Sequence, residues 1–295
     1  MAASEGFFEA RVLAKRGISP HMLRLALGGP GLEQFASTGV PDEWVRLYFP
    51  RAGETRLPLP TQVHGGGWDW GGTAPEGRYY TVRRWDPEAR MLLLDVVVHS
   101  DGLATSWARD VAPGERIVLS APRGSYAPPA DATRQLLVGD LTALPAISRV
   151  VEEVPAGTDV RAVVEIPDER DRQEMQTQAD LAVDWRLFRP SVDAPSTVEA
   201  IVRDLQWPEG DVYFWMAGEA GQMRGVRKYL RHERGMHGSS YDVMGYWRTG
   251  AEEWLRRFDA ADIDIRAIWQ EGVRLGRDDD EIMDDYEDAL DRAGL

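Results

Sequence analysis

The pattern of the chain changes near residue 134, and this change limits the folds that it can adopt. Residues before that point form short strand-like runs separated by Gly and Pro, with little helical spacing. Residues after it form apolar strand-like runs that alternate with amphipathic helical segments. The first pattern is typical of an antiparallel barrel, and the second is typical of a parallel α/β sheet. We therefore predict two domains of different architecture, joined by a Pro-rich linker at residues 121–129.

The first half is predicted to be a six-stranded antiparallel β-barrel covering residues 1–130. Its strands are short, and the turn residues between them include Gly17, Pro20 and Pro50. A Gly- and Trp-rich loop at residues 64–72 is either a cover over a ligand or a simple insertion. The predicted strands are 7–15, 22–27, 44–49, 78–85, 91–99 and 116–119.

The second half is predicted to be a parallel α/β domain covering residues 131–258. A helix is expected after its first strand, with Thr142 as the N-cap and Pro145 in the first turn. Ligands of such sheets bind at the carboxyl ends of the strands, where residues 140–142 and 217–219 should meet. The GxGxxG dinucleotide fingerprint is absent. The predicted strands are 135–139, 159–166, 185–188, 211–216 and 241–246, with a further helix at 197–205.

The composition excludes several kinds of chemistry. The chain of 295 residues has no cysteine, which excludes disulfides, thiolate nucleophiles and zinc–thiolate sites. Of the five histidines only His232 and His237 are close in sequence, and neither has a carboxylate at the usual metal-site spacing, so we predict no metal site. The formal charge of −15 argues against a nucleic-acid partner. The sequence contains no run of about 18 apolar residues, so we predict no membrane-spanning helix. The first residues lack the apolar core of a secretory signal, so we expect a cytoplasmic protein.

The acidity is concentrated in residues 259–295, which contain 13 Asp and Glu against 4 Arg. We predict a helical C-terminal extension here, because apolar stripes at helical spacing occur at 265–273 and 282–293. Residues 278–280 are three aspartates and are expected to cap the second helix. The two helices should pack either on the body of the protein or on a second subunit, and the second alternative makes the protein a homodimer.

Two segments of the first half carry side chains suited to a cofactor. Residues 78–83 place two cations, two phenol rings and a hydroxyl on one strand, which suits the wall of a flavin pocket, although Tyr, Thr and Val are also simply good strand formers. Because side chains alternate along a strand, Tyr80 and Thr81 can share a site only through backbone contacts or a bulge. Residues 102–108 begin a short helix, whose N-terminus either binds a phosphate or only starts a connecting helix with Trp107 in the core.

Six motifs, in order along residues 5–258, resemble those of the siderophore-interacting proteins, a branch of the ferredoxin–NADP reductase superfamily. The resemblance implies an FAD-binding barrel followed by an NAD(P)H-binding domain. The motifs are RYYTVR at 78–83, His99 with GLATSWA at 102–108, PRGS at 122–125, GDLTALPAI at 139–147, WMAGE at 215–219 and GYWRTG at 245–250.

The resemblance also implies roles for individual residues. Arg248 would belong to a basic surface that receives the siderophore, and no catalytic side chain or metal ligand is implied. In the barrel, the residues that would bind FAD are Arg78, Tyr79, Tyr80, Thr81, His99, Gly102, Ala104, Thr105 and Ser106. In the second domain, the residues that would contact FAD or the nicotinamide coenzyme are Asp140, Thr142, Ala143, Gly218, Glu219, Arg224, Arg227 and Trp247.

The activity implied by the resemblance is reduction of a ferric siderophore by NADPH or NADH through FAD. NAD(P)H gives two electrons as hydride, Fe(III) accepts one, and a flavin can do both. The alternatives are a general flavin reductase or diaphorase on the same scaffold, a siderophore-binding protein without electron transfer, and an electron-transfer module that docks a protein donor.

Overall fold

The computed structural model describes residues 6–50, 54, 56–63, 67–99, 102–189 and 197–295, apart from the side chains of Glu252 and Asp280. Residues 64–66 of the Gly- and Trp-rich loop lie outside this part of the chain. The strands of the first half are β1 (Phe7–Ser19), β2 (Met22–Gly28), β3 (Trp44–Tyr48), β4 (Thr61–Val63), β5 (Gly67–Asp69), β6 (Gly77–Asp86), β7 (Met91–Val97) and β8 (Arg116–Ser120), with helix α1 (Leu103–Asp110) between the last two.

Six of these strands close into a barrel in the order β1, β2, β7, β6, β3 and β8, with antiparallel neighbours throughout. β1 pairs with β8 through residues 7–11 and with β2 through residues 11–19. Register shifts after Val12 and Gly17 bend this long strand, which lets it reach both neighbours. The predicted six-stranded antiparallel barrel is therefore confirmed.

The barrel interior is filled by alternate residues of its strands. Leu25 and Leu27 of β2, Leu92 and Leu94 of β7, and Val82 of β6 have no exposed surface. Each such side chain contributes about 1.5–3 kcal/mol when it leaves water. The period of two that predicted these strands is the direct consequence of this inward and outward alternation.

The short hairpin of β4 and β5 packs on the outer wall of the barrel. The ring of Phe7 lies 4.8 Å from that of Trp68 and 5.2 Å from that of Trp70. Trp70 also contacts Tyr48, with 4.8 Å between the ring centroids. The tryptophans of the Gly- and Trp-rich loop thus hold it to the barrel wall by aromatic packing.

The second half contains five strands in one parallel sheet, ordered β11, β10, β9, β12 and β13. From β9 the chain moves to one side through β10 and β11, then crosses to the other side for β12 and β13. This reversal makes the carboxyl ends of β9 and β12 the switch point of the sheet, where ligands bind in such folds. The strands are β9 (Arg134–Asp140), β10 (Asp159–Ile166), β11 (Asp180–Leu187), β12 (Tyr213–Glu219) and β13 (Tyr241–Trp247).

Seven helices are found in the described residues. Besides α1, they are α2 (Leu144–Glu153), α3 (Val198–Asp204), α4 (Ala220–Lys228), α5 (Ala251–Ala261), α6 (Ile265–Arg274) and α7 (Asp279–Arg292). The predicted cap of α7 is confirmed, because the carboxylate of Asp278 accepts from the amide of Glu281 and the Glu281 side chain accepts from the amide of Asp278.

Three details of the prediction are wrong. Thr142 is not the N-cap of α2; Ala143 takes that position, and the Thr142 hydroxyl donates to Asp140 instead. β11 begins at Asp180 rather than residue 185. The prediction placed its start too late because β11 is an edge strand whose half-exposed or exposed side chains give no run of apolar residues. Helix α5 was missed, although Trp254 and Phe258 stack at helical spacing.

Buried polar contacts fix the barrel against the sheet. Nη1 of Arg149 on α2 donates to the carbonyl of Val82 at 2.8 Å and lies 3.5 Å from Glu43. The carboxylate of Asp42, which has no exposed surface, accepts from the indole N–H of Trp215 on β12 at 3.5 Å and from the linker amides of Ser125 and Tyr126 at 3.0 and 2.9 Å. These contacts have defined geometry, so they set the relative position of the two domains at the site described below.

Neither a membrane-spanning helix nor a metal cluster is present in the described residues. Within them, no helix is both long and apolar enough to cross a membrane. The same part of the chain contains no group of three or more His, Cys, Asp and Glu that could hold a metal ion.

Candidate functional site

The side chains of β6 alternate without a bulge at the predicted flavin contacts. Tyr80 packs against the barrel core, while Thr81, which is 5% exposed, points to the opposite face. The register shift of this strand falls later, between Val82 and Arg84. The hydroxyl of Thr81 is buried and has no hydrogen-bond partner. Since it lies next to Tyr246 of β13, it faces the second domain.

Arg78 and Tyr79 lie at the exposed start of the same strand. The guanidinium of Arg78 is 3.0 Å from the carboxylate of Glu76 and donates to the carbonyl of Gly77 at 3.1 Å. The ring of Tyr79 meets the edge of Trp44 with 4.8 Å between centroids. Exposed ion pairs of this kind are weak, so Arg78 can exchange Glu76 for a phosphate.

The start of α1 is open toward solvent. Gly102 has a φ of 125°, and a Cβ there would lie 3.1 Å from the ring of His99, which is itself exposed. Among the described residues no side chain caps the helix, which leaves its first N–H groups to an anion. Trp107 packs against Phe49 and the barrel core. The helix therefore combines an open N-terminus with a core tryptophan. Of the three predicted contacts that follow Gly102, Ala104 is half-buried, Thr105 is buried and Ser106 is exposed.

At the switch point of the sheet, four of the predicted residues come together. The carboxylate of Asp140 accepts from the indole N–H of Trp247 at 2.6 Å and from the amide and hydroxyl of Thr142 at 2.8 and 2.5 Å. A Cβ on Gly218 would lie 2.9 Å from the same carboxylate, so only glycine fits there. Burial raises the pKa of Asp140 despite these donors. Ala143 is the N-cap of α2 and is fully buried in the core of this domain.

Glu219 and Arg248 occupy the adjacent edge. The buried carboxylate of Glu219 accepts from the amides of Gln222 and Thr249 at 3.2 and 3.0 Å, which caps α4 and ties it to the end of β13. Arg248 is half-buried, with its guanidinium 4.2 Å from the ring centre of Trp254 on α5. Burial lowers the pKa of Arg248, and Glu219 opposes that shift.

Arg224 and Arg227 lie on α4 and are paired with the C-terminal extension. Arg224 forms an ion pair with Asp291, and Arg227 donates through Nε to Glu287 at 2.7 Å. The predicted coenzyme arginines therefore touch carboxylates of α7, a contact that the sequence did not predict. The partners are 67 and 60 residues apart in the chain, so no local pattern connects them.

Sequence reasoning also missed Tyr246 and Asp42. The hydroxyl of Tyr246 is buried and lies within reach of the Thr81 hydroxyl, but it makes no well-formed hydrogen bond with the described residues. Burial raises the pKa of this phenol, so it remains protonated and able to donate. Tyr246 stands inside the motif at 245–250, which was a usable signal. Asp42 has no sequence signal, because its partners lie more than 80 residues away.

These groups fit a bound flavin dinucleotide. Thr81 and Tyr246 offer two unpaired buried hydroxyls at the junction of the domains, where a polar ring edge could satisfy them. Arg78 and the open N-terminus of α1 offer a cation and free N–H groups to phosphates. A six-stranded antiparallel barrel with such donors, followed by a parallel sheet with an open switch point, defines an FAD- and NAD(P)H-dependent oxidoreductase of the ferredoxin reductase class.

The chain belongs to the siderophore-interacting protein family. Residues 11–126 match the model of the siderophore-interacting FAD-binding domain, and residues 132–250 match the model of the siderophore-interacting protein. A siderophore utilization protein from T. fusca is 32% identical in sequence, with a TM-score of 0.74 over 84% of this chain and 96% of that one.

Some relatives are named as reductases of iron chelates. The ferric vibriobactin reductase of Vibrio cholerae is 28% identical, with 81% of this chain and 88% of that protein covered. The NADPH-dependent ferric-chelate reductase of Escherichia coli is 28% identical, covering 77% of this chain and 88% of that protein. In fold alone, the chain resembles a ferredoxin NADP⁺ reductase from Neisseria gonorrhoeae (13% identity, TM-score 0.57, 83% of this chain and 100% of that one).

Proposed function

We propose that the protein is a ferric-siderophore reductase that takes electrons from NAD(P)H through FAD. The observation that carries the proposal is the pair of buried hydroxyls of Thr81 and Tyr246, which face each other at the junction between the barrel and the switch point and make no well-formed hydrogen bond with the described residues. The chelate-reducing activities named for the Vibrio cholerae and Escherichia coli relatives support the same class of substrate.

The protein contributes position and electrostatics to this reaction. When bound, FAD would supply acceptance of a hydride from NAD(P)H and transfer of single electrons to Fe(III), and reduction of the iron would weaken its binding by hard oxygen ligands. The Glu43–Arg149–Val82 contacts keep the barrel and the sheet at a set separation. Thr81 and Tyr246 hold the polar ring edge, and Arg78 with the start of α1 binds the phosphates. Arg248 remains our proposed siderophore contact, approached beside Trp254.

The proposed division of the chain follows the predicted boundaries. Residues 1–130 bind FAD, residues 131–258 bind the coenzyme, and residues 259–295 form the acidic extension. Since NAD(P)H is the electron donor, we propose a cytoplasmic location.

A homodimer through the C-terminal helices is also proposed. Ile265, Trp269 and Val273 of α6 are 41–59% exposed, which leaves an apolar stripe for a second copy. Light scattering on the wild type and on Trp269→Glu tests this: a dimer that dissociates in the variant supports it, and a monomeric wild type refutes it.

The test of the function is the absorbance spectrum of the purified protein during anaerobic titration. The protein should be yellow, should bleach on addition of NADPH or NADH, and should regain its colour when a ferric siderophore is added, while an Fe(II) chelator reports the product. Saturation with the ferric siderophore, compared with free flavin as acceptor, separates a siderophore reductase from a general flavin reductase. A colourless protein, or a yellow one that neither coenzyme bleaches, contradicts the proposal.

A further inference from the structure

The basic face of α4 is covered by the acidic face of α7. Arg224 pairs with Asp291, and Arg227 donates to Glu287 at 2.7 Å and to the carbonyl of Val243 at 3.1 Å. Lys228 adds a contact with Asp291 at 3.2 Å. The cations of this helix are therefore matched by carboxylates from a segment 60 or more residues later in the chain.

The contact with Glu287 is not a loose surface pair. Glu287 is 1% exposed, and its Oε2 atom has no hydrogen-bond partner. A buried carboxylate with one unsatisfied oxygen has lost much of its hydration, which Arg227 offsets by a hydrogen bond and Lys228 by its nearby charge. An anion that takes Arg227 away leaves this carboxylate buried and uncompensated unless water reaches it, so the exchange has a free-energy cost.

This contact lies beside the coenzyme edge. Helix α4 begins directly after Glu219 at the switch point. The positive charge of Arg224 on this helix is close enough to Arg248 to lower the pKa of Arg248. Tyr286 of α7 lies near both arginines. The match to the family model ends at residue 250, so α7 lies outside the matched domains while it contacts their ligand-binding edge.

We propose that Glu287 and Asp291 set the coenzyme choice of this reductase against NADPH by occupying Arg227 and Arg224. The inference rests on the proposed function, in which these arginines face the coenzyme. NADH and NADPH differ only in the 2′-phosphate, a dianion that arginines bind through bidentate hydrogen bonds. To engage α4 it must displace one or both carboxylates, whereas NADH can bind with the α7 contact intact.

The test compares the wild type, Asp291→Asn and Glu287→Gln/Asp291→Asn, with Asp285→Asn as the control. Asp285 lies on the same helix, but its partner is Arg277 of the extension, so its substitution changes the charge without touching α4. The probes are adenosine 2′,5′-bisphosphate and 5′-AMP, with affinities measured by calorimetry on the flavin-loaded protein. Asp291 is half-exposed, so Asp291→Asn keeps the test valid if the double variant does not fold.

The double variant should bind adenosine 2′,5′-bisphosphate about 10-fold more tightly than the wild type, with a smaller gain in Asp291→Asn and less than a twofold change for 5′-AMP. Its KM ratio of NADPH to NADH should fall by a similar factor. In the wild type, the bisphosphate should also increase hydrogen exchange in residues 279–292. Equal ratios in all four proteins, with flavin still bleached by coenzyme, overturn this inference alone. Failure of both coenzymes to bleach the flavin of the wild type overturns the proposed function and this inference with it.

Discussion

The indole N–H of Trp247 donates to the carboxylate of Asp140 across 2.6 Å, which joins the ends of β13 and β9 over the intervening strand β12. The bridge passes above Gly218, where a Cβ would lie 2.9 Å from Asp140. The carboxyl ends of β9, β12 and β13 are thus held side by side at the switch point. A cofactor that reaches this edge meets a surface whose shape is set before binding.

Asp140 should make stability depend on pH. Burial raises its pKa, so between the unfolded value of about 3.9 and the raised value the folded state binds more protons than the unfolded chain. The contribution of Asp140 to the unfolding free energy therefore falls as pH rises through this window, by about 1.4 kcal/mol for each pH unit that separates the two pKa values. The stability of wild type relative to Asp140→Asn should decline from pH 4 to pH 7 in urea denaturation of the flavin-free proteins. The exposed Asp180→Asn is the control, and curves that stay parallel in all three contradict the assignment.

The Thr81 hydroxyl should matter to the flavin and not to the fold. Thr81→Val removes a buried, unpaired hydroxyl with little change of shape, so the flavin-free protein should be equally stable or more stable by about 1 kcal/mol. The affinity for FAD should fall about 5-fold, because one hydrogen bond of about 1 kcal/mol is lost. Thermal unfolding and quenching of FAD fluorescence measure the two effects. A destabilised protein with unchanged FAD affinity would show that the hydroxyl serves the fold.

Arg78 should hold a flavin phosphate. In the flavin-free protein, Arg78→Ala removes only an exposed ion pair with Glu76. In the FAD complex it removes a charge-assisted hydrogen bond worth about 1.5–3 kcal/mol, so FAD should bind about 10- to 100-fold more weakly. The matched control is Arg84→Ala, an exposed arginine on the same strand. The flavin content after purification and the dissociation constant of FAD are the measurements. Normal flavin occupancy in Arg78→Ala would refute the role.

The Glu43–Arg149 contact should be the most sensitive point of the domain junction. Arg149→Met leaves Glu43, which has no exposed surface, without its cation and should destabilise the protein by about 3 kcal/mol. The loss is at the low end for a broken buried pair, because the Ser37 and Thr38 hydroxyls still donate to Glu43 at 2.9 and 2.6 Å. Urea denaturation measures it, with Arg170→Met as an exposed control whose midpoint should not move. An unchanged midpoint in Arg149→Met would mean that the domains are held elsewhere.

The architecture was readable from the sequence because the signals that specify it are local. Alternation in β2 and β7 and buried runs in β9 and β12 report the two kinds of sheet directly. The errors fell where the local signal is weak or misleading. The edge strand β11 shows little burial, and Thr142 has the chemistry of an N-cap but donates to Asp140 two residues earlier.

The sequence by itself determined the order of the two domains, the family and the residues at the carboxyl ends of the strands, since motifs and periodicity are properties of short segments. Only the tertiary structure decided that Thr81 faces Tyr246, that Trp247 is tied to Asp140, and that Arg224 and Arg227 are paired with α7. These contacts join residues 60 to 165 positions apart. Their formation depends on how the barrel, sheet and extension pack, and no local pattern of side chains carries that information.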